Sequence, residues 1–235
     1  MNKWIWFSAV LVGCSTSIQE DTADTTVEGT DSAAPEPVLA SIQVLNPMTG
    51  GGMKDITVST ETEETQTKAG GAANIEVLAN QEFALRLASE KILDHLLYGQ
   101  AEDEDFELIT FAGSPSTSDA VLGMLGLDWD SSTGMLVVGA DYSNWSAVSG
   151  AQVSISDTNA DVFVLGNNGM PLASDVIPSG GMGMVSFANV TAGEVTVDLV
   201  PPEGVSCAPH PGGSYDNVPI EAATVTVISY RCSTD

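Results

Sequence analysis

Gly183-Met184-Val185-Ser186-Phe187-Ala188-Asn189-Val190-Thr191-Ala192-Gly193-Glu194-Val195-Thr196-Val197 decides the fold class. Val185 and Phe187, then Val195 and Val197, sit on alternate positions, the period of a strand with one buried face. The pattern recurs in both directions. Upstream lie Ile42, Val44 and Leu45; Ile56 and Val58; Ile75 and Val77; Phe83, Leu85 and Leu87; Val153 and Ile155; and Val162 to Leu165. Downstream the last run is Val225, Val227 and Ile228. Clusters such as Gly50-Gly51-Gly52, Asn167-Asn168-Gly169 and Pro201-Pro202 separate the runs. Short β-rich runs at this spacing predict an all-β sandwich, not a parallel α/β sheet. Helix is expected in two places only. Ala88 to Tyr98 carries Ile92, Leu93, Leu96 and Leu97 at helical spacing, and Ser118 to Leu127 follows Pro115 with Ser118 or Asp119 as N-cap.

The runs also repeat. Adding 112 to Gly71, Ala73, Ile75, Phe83, Leu85 and Leu87 gives Gly183, Val185, Phe187, Val195, Val197 and Leu199. A glycine and its strand residues keep their roles without a gap, which predicts tandem sandwiches. Gly150-Ala151-Gln152-Val153-Ser154-Ile155 resembles the opening of carboxypeptidase regulatory-like domains, and Gly183 to Val197 resembles their Gly-to-Val hairpin. The first copy is weaker, with Thr65 to Gly71 in place of the usual turn and Asn80-Gln81-Glu82-Phe83 where the family has Gly-Tyr. The resemblance implies Greek-key, transthyretin-like sandwiches serving as non-catalytic surface or accessory modules. It brings no catalytic residue with it.

The chain start is an address. Met1-Asn2-Lys3 is followed by an apolar run, Trp4 to Gly13, ending in Leu11-Val12-Gly13-Cys14. This resembles the lipobox of bacterial lipoproteins, which implies cleavage before Cys14 and a thioether-linked diacylglycerol on it, with a fatty acid such as palmitate on the new amine. Each buried methylene of such chains contributes about 0.8 kcal/mol to anchoring. Ser15, not Asp, follows and favours the outer membrane. Residues 14–39 are acidic and rich in Ser, Thr and Ala, the composition of a solvated tether. The expected organisation is therefore a signal peptide (1–13), a tether (14–39), a first sandwich (40–100), a connector with a short helix (101–133) and a second sandwich (134–235).

Charge and composition limit the function. The chain of 235 residues carries 32 acidic against 6 basic side chains, a formal charge of −26. Phosphates would be repelled, so nucleic acid is excluded as a partner. No apolar run is long enough for a transmembrane helix. With Cys14 assigned to lipid, Cys207 and Cys232 form an even pair in an exported chain, for which a disulfide is expected. The two His and the absence of a Gly-x-Ser-x-Gly elbow leave no basis for an enzyme. No cofactor or metal is expected. Glu102, Asp103, Glu104, Asp105 and Glu107 read as a solvated loop, and Asp128 to Gly134 as a turn that only begins like a calcium loop. His95 reads as a packed or surface residue. Trp129, Tyr142, Trp145, Tyr215 and Tyr230 are aromatic candidates for a surface site, each against a core-packing alternative. Among them Tyr142, Asn144 and Trp145 place rings and an amide together and are the candidate ligand platform. The resulting expectation is a lipid-anchored structural or adhesive protein of the cell envelope, its partners the membrane and another surface protein or a glycan. A carbohydrate-binding module is the alternative.

Overall fold

The first sandwich shows how alternation becomes architecture. Strands β1 (Pro37–Leu45), β2 (Thr57–Ser59), β3 (Glu64–Gln66), β4 (Ala72–Leu78), β5 (Glu82–Ala88), β6 (Asp94–Gln100) and β7 (Phe106–Phe111) follow in order. In β4 and β5 every second residue is buried, Ala73, Ile75 and Val77 in one, Phe83, Leu85 and Leu87 in the other. The sheet β4-β1-β7, with β1 antiparallel to β4 and parallel to β7, forms one layer. The β6-β5-β2-β3 part of a larger sheet forms the other. Between them lies an apolar core that includes Ile42, Val44, Ile56, Ile75 and Leu85, with Phe83 stacked on Phe106 at 5.3 Å. The structure, a computed structural model, describes residues 36–234, which form one compact unit. The signal peptide, Cys14 and most of the tether lie outside the described residues.

After helix α1 (Pro115–Leu125) come β8 (Gly134–Tyr142), β9 (Gln152–Ile155), β10 (Asp161–Leu165), β11 (Pro171–Leu172) and β12 (Met184–Val190). Then follow β13 (Gly193–Val195), β14 (Val197–Val200), β15 (Val205–His210), β16 (Val218–Ile220) and β17 (Thr224–Thr234). β11-β10-β12-β8-β17 continues the large sheet, which has ten strands with β15 attached to β17. The pairs β14-β9 and β13-β16 lie apart from it as two small sheets. Leu136, Val138, Val185, Phe187 and Ile228 from the large sheet meet Val153, Val195, Val197 and Val218 in a second core. The chain is thus an all-β sandwich protein. Its two sandwich cores are distinct, yet one sheet runs through both; a third, smaller apolar cluster joins Leu122 of α1 to Met135, Phe163 and Val225. The joint is β17, which lies parallel to β6 from Thr224 to Val227 and parallel to β8 from Val225 to Cys232.

Several sequence expectations change. Ala88 to Tyr98 is not a helix: Asp94–Gln100 is strand β6. The successive residues His95, Leu96 and Leu97 of β6 are all buried, so both faces of the sheet are covered at this point and the run loses its alternation. The second helix exists but begins earlier. Ser114 is its N-cap, its hydroxyl accepting from the Thr117 N–H at 3.2 Å, with Pro115 in the first turn. Gly126, at φ 72°, closes it in the left-handed conformation. Strand β1 begins at Pro37, inside the segment read as tether. Residues 101–133 carry β7 as well as the helix, and β7 adds Phe106 and Leu108 to the first core. The Gly183–Val197 stretch is not a hydrogen-bonded hairpin either. β12 pairs with β10 and β8 while β13 pairs with β16, so its turn carries the chain from one layer to the other. The repeated positions share burial but not pairing: β4 pairs only with β1, whereas β12 is central.

Candidate functional site

The candidate platform lies in the turn after β8. The Tyr142 carbonyl accepts from the Trp145 N–H at 2.8 Å, and the Tyr142 N–H donates to the Ser146 carbonyl at 2.9 Å. Asn144 fixes the turn with its own side chain, Oδ1 accepting from the Ser146 N–H at 3.0 Å and the Ser146 hydroxyl at 2.6 Å. Trp145 stands at φ 63°, a conformation that costs a bulky residue energy and that surrounding contacts must hold. The structure therefore brings Tyr142, Asn144 and Trp145 together, but Asn144 Oδ1 is used by the turn itself.

The contacts that hold Trp145 come from β15 and β17. The Arg231 guanidinium carbon lies 3.8 Å from the Trp145 ring centroid, a close cation–π stack. Arg231 Nη1 donates to the Tyr142 carbonyl at 2.9 Å, and the His210 ring meets Trp145 edge-on at 6.4 Å. His210 Nε2 lies 2.9 Å from the Glu107 carbonyl and 3.3 Å from Arg231 Nη2. Donation to Glu107 needs a proton on Nε2, so Arg231 rests against the ring without a hydrogen bond to that nitrogen. Burial lowers the pKa of His210, and the Arg231 charge adds to the effect. Asp141, the register partner of Arg231, is pushed up to about 6 by burial, with Arg231 opposing. Sequence reasoning missed Arg231 and His210 because they lie far along the chain from Trp145. Their signal was the neighbouring cysteine pair, which fixes where those strand ends must lie.

That pair forms the expected disulfide, Cys207–Cys232, linking directly opposed residues of β15 and β17. Three other aromatic candidates belong to packing. Tyr215 and Tyr230 are buried in the second core, edge to face at 5.2 Å, with the Tyr215 hydroxyl 2.9 Å from the Ser229 carbonyl. Trp129 packs against the cluster that includes Leu122 of α1, Met135 and Phe163. His95 is buried with Nδ1 2.7 Å from the Leu93 carbonyl, and burial lowers its pKa. Asp130 closes the Asp128–Gly134 turn, accepting from the Ser132 N–H and hydroxyl, both at 2.8 Å. Among the described residues no three His, Cys, Asp or Glu side chains lie close enough to hold a metal ion, and no helix is long and apolar enough to cross a membrane.

No protein-family model matches the chain, and no curated protein does. Among solved structures, a minor pilin of the Gram-positive pathogen Streptococcus agalactiae aligns over 84% of this chain and 97% of its own, at 12% identity and TM-score 0.30. The shaft pilin SpaA of Lactobacillus rhamnosus GG aligns over 86% of this chain and 99% of its own, at 10% identity and TM-score 0.26. A Streptococcal ancillary pilin aligns over 83% and 62%, at 10% identity and TM-score 0.27. Likeness this distant carries no conclusion about what the present chain binds.

Proposed function

We propose that the chain is a lipid-anchored structural or adhesive protein of the cell envelope, held through Cys14 and without catalysis of its own. The observation that supports this best is how its reactive side chains are used. Both histidines are tied to backbone carbonyls. The described cysteines are joined to each other. What remains is two sandwich cores on one sheet, in a chain with 32 acidic against 6 basic side chains. The lipobox and the tether supply attachment and distance from the membrane, and Ser15 favours the outer one. Cell fractionation with mass spectrometry of the N-terminal peptide tests this proposal. An acylated Cys14 in the envelope fraction supports it; an unmodified Cys14 in a soluble fraction removes it.

The alternative, a glycan-binding module, rests on one specific feature. Trp145 is half-buried and held rigid by Arg231, so a ring is oriented before any ligand arrives. Since Arg231 covers one face, a sugar would have to stack on the other. A glycan array with wild type and Trp145→Ala tests it, and binding unaffected by the substitution refutes it.

A further inference from the structure

A cavity of about 530 Å³ opens at one rim of the first sandwich. It falls within the roughly 300–1,000 Å³ of small-molecule sites. Its walls come from the start of β1, the β2–β3 turn, the end of β4, the start of β5 and Tyr98 of β6. Four glutamates, Glu61, Glu63, Glu76 and Glu82, stand around it, and no lysine or arginine lines it. Its floor is apolar: Phe83 is buried there and Tyr98 is half-buried.

The basic residues of the described chain are placed elsewhere. Lys54 and Lys91 flank Asp55, Lys68 lies in the β3–β4 turn, Arg86 is paired with Glu221, and Arg231 lies on Trp145. A cleft walled by one sign of charge over a low-dielectric floor concentrates counter-ions. The counter-ion it fits is not a metal. A calcium ion needs six to eight oxygens converging at about 2.4 Å, and no such group of carboxylates exists among the described residues. Carboxylates spread around an apolar floor match positive groups spaced along a hydrocarbon chain. Methylenes would lie on Val77 and Phe83, and an ammonium could use the Tyr98 ring face as well as Glu82.

The geometry points to this cleft as a binding site for alkylammonium groups carried on a methylene chain, either a free linear polyamine or lysine side chains of another protein. The test is isothermal titration of the purified chain with spermidine and, separately, with a Lys-Gly-Lys amide peptide. Wild type is compared with Glu61→Gln/Glu82→Gln and with the control Asp103→Asn/Glu104→Gln. The two variants remove equal charge, both from exposed positions. Binding weakened at least tenfold by the cleft variant and unchanged in the control supports the site. Spermidine alone then marks a polyamine, the peptide alone marks lysine side chains, and both together mark the shared chemistry. Binding of neither ligand overturns the site. So does equal weakening in both variants, or displacement of the ligand by magnesium at matched ionic strength, since these mark diffuse charge attraction.

Discussion

Asp141→Asn should make the protein more stable at neutral pH and remove part of its pH dependence. The Asp141 carboxyl is pushed up from 3.8 to about 6, chiefly by burial. Below pH 3.8 it is protonated in both folded and unfolded chains, so it imposes no penalty. Between 3.8 and 6 the unfolded chain ionises first, and stability falls as the pH rises. Above about 6 the loss is complete. At 1.36 kcal/mol per pH unit the displacement corresponds to roughly 3 kcal/mol. The side chain is only partly buried, so screening reduces this to about 1–2 kcal/mol. Asparagine stays neutral throughout and is nearly isosteric. Arg231 would lose a favourable neighbour, but its guanidinium keeps the Tyr142 carbonyl and the Trp145 ring. Urea unfolding at pH steps between 3.5 and 8 measures the difference. The variant should match wild type near pH 3.5 and exceed it by about 1–2 kcal/mol at pH 7.5. A variant less stable than wild type at pH 7.5, or a difference constant across the range, would refute the reasoning.

Replacing Cys207 and Cys232 by Ser should cost about 3.5 kcal/mol in the chain-entropy model for a loop of 25 residues; peptide mapping without reductant should recover the linked pair. A double-mutant cycle on Arg86 and Glu221, a bidentate pair at 2.8 and 2.6 Å joining β5 to the turn before β17, should give a coupling of no more than about 1 kcal/mol, because both side chains remain substantially exposed. Cys14→Ser should leave the chain without acyl mass and move it out of the detergent phase; unchanged partitioning would refute the anchor. A fragment of residues 134–235 should keep a dispersed β-rich NMR spectrum from its own core and disulfide, but should self-associate. Without β6, the Thr224–Val227 edge of β17 is unpaired. An unfolded spectrum would show that the second core does not stand alone.

What could be read from the sequence followed from whether one face of a strand is buried or both. β4 and β5 each cover one face, so Ile75, Val77, Phe83 and Leu85 announced themselves by alternation. β6 has both faces covered, and its run of His95, Leu96 and Leu97 imitated a helix. The start of α1 was misplaced because Ser114, Ser118 and Asp119 are all chemically able to cap. Only the Thr117 N–H contact selects Ser114. The turn residues of the platform were legible, as was the disulfide. The stacking of Arg231 on Trp145 was not: it depends on the register of β8 and β17, which brings together two residues 86 apart in the chain. The cleft at the sandwich rim was equally hidden, since its glutamates come from three separate hairpin segments.

β17 explains why a chain with two cores behaves as one unit. Its first residues complete the sheet of the first core beside β6, and its middle lies against β8 of the second. Its last residues pair with β15, where the disulfide closes. The first core has no cysteine and few residues, which alone gives a marginal fold. Pairing β6 with a strand held at its far end by a covalent link changes that: opening the first core at β6 exposes one side of β17, and the disulfide limits how far β17 can follow. The platform belongs to the same strand, because Arg231 precedes Cys232 and fixes Trp145. Cleavage of the Cys207–Cys232 bond should therefore register first as loosening of Trp145, seen in its fluorescence, and only afterwards as loss of the first core. Simultaneous change at both places would mean that β17 transmits disorder along its whole length, not from its stapled end.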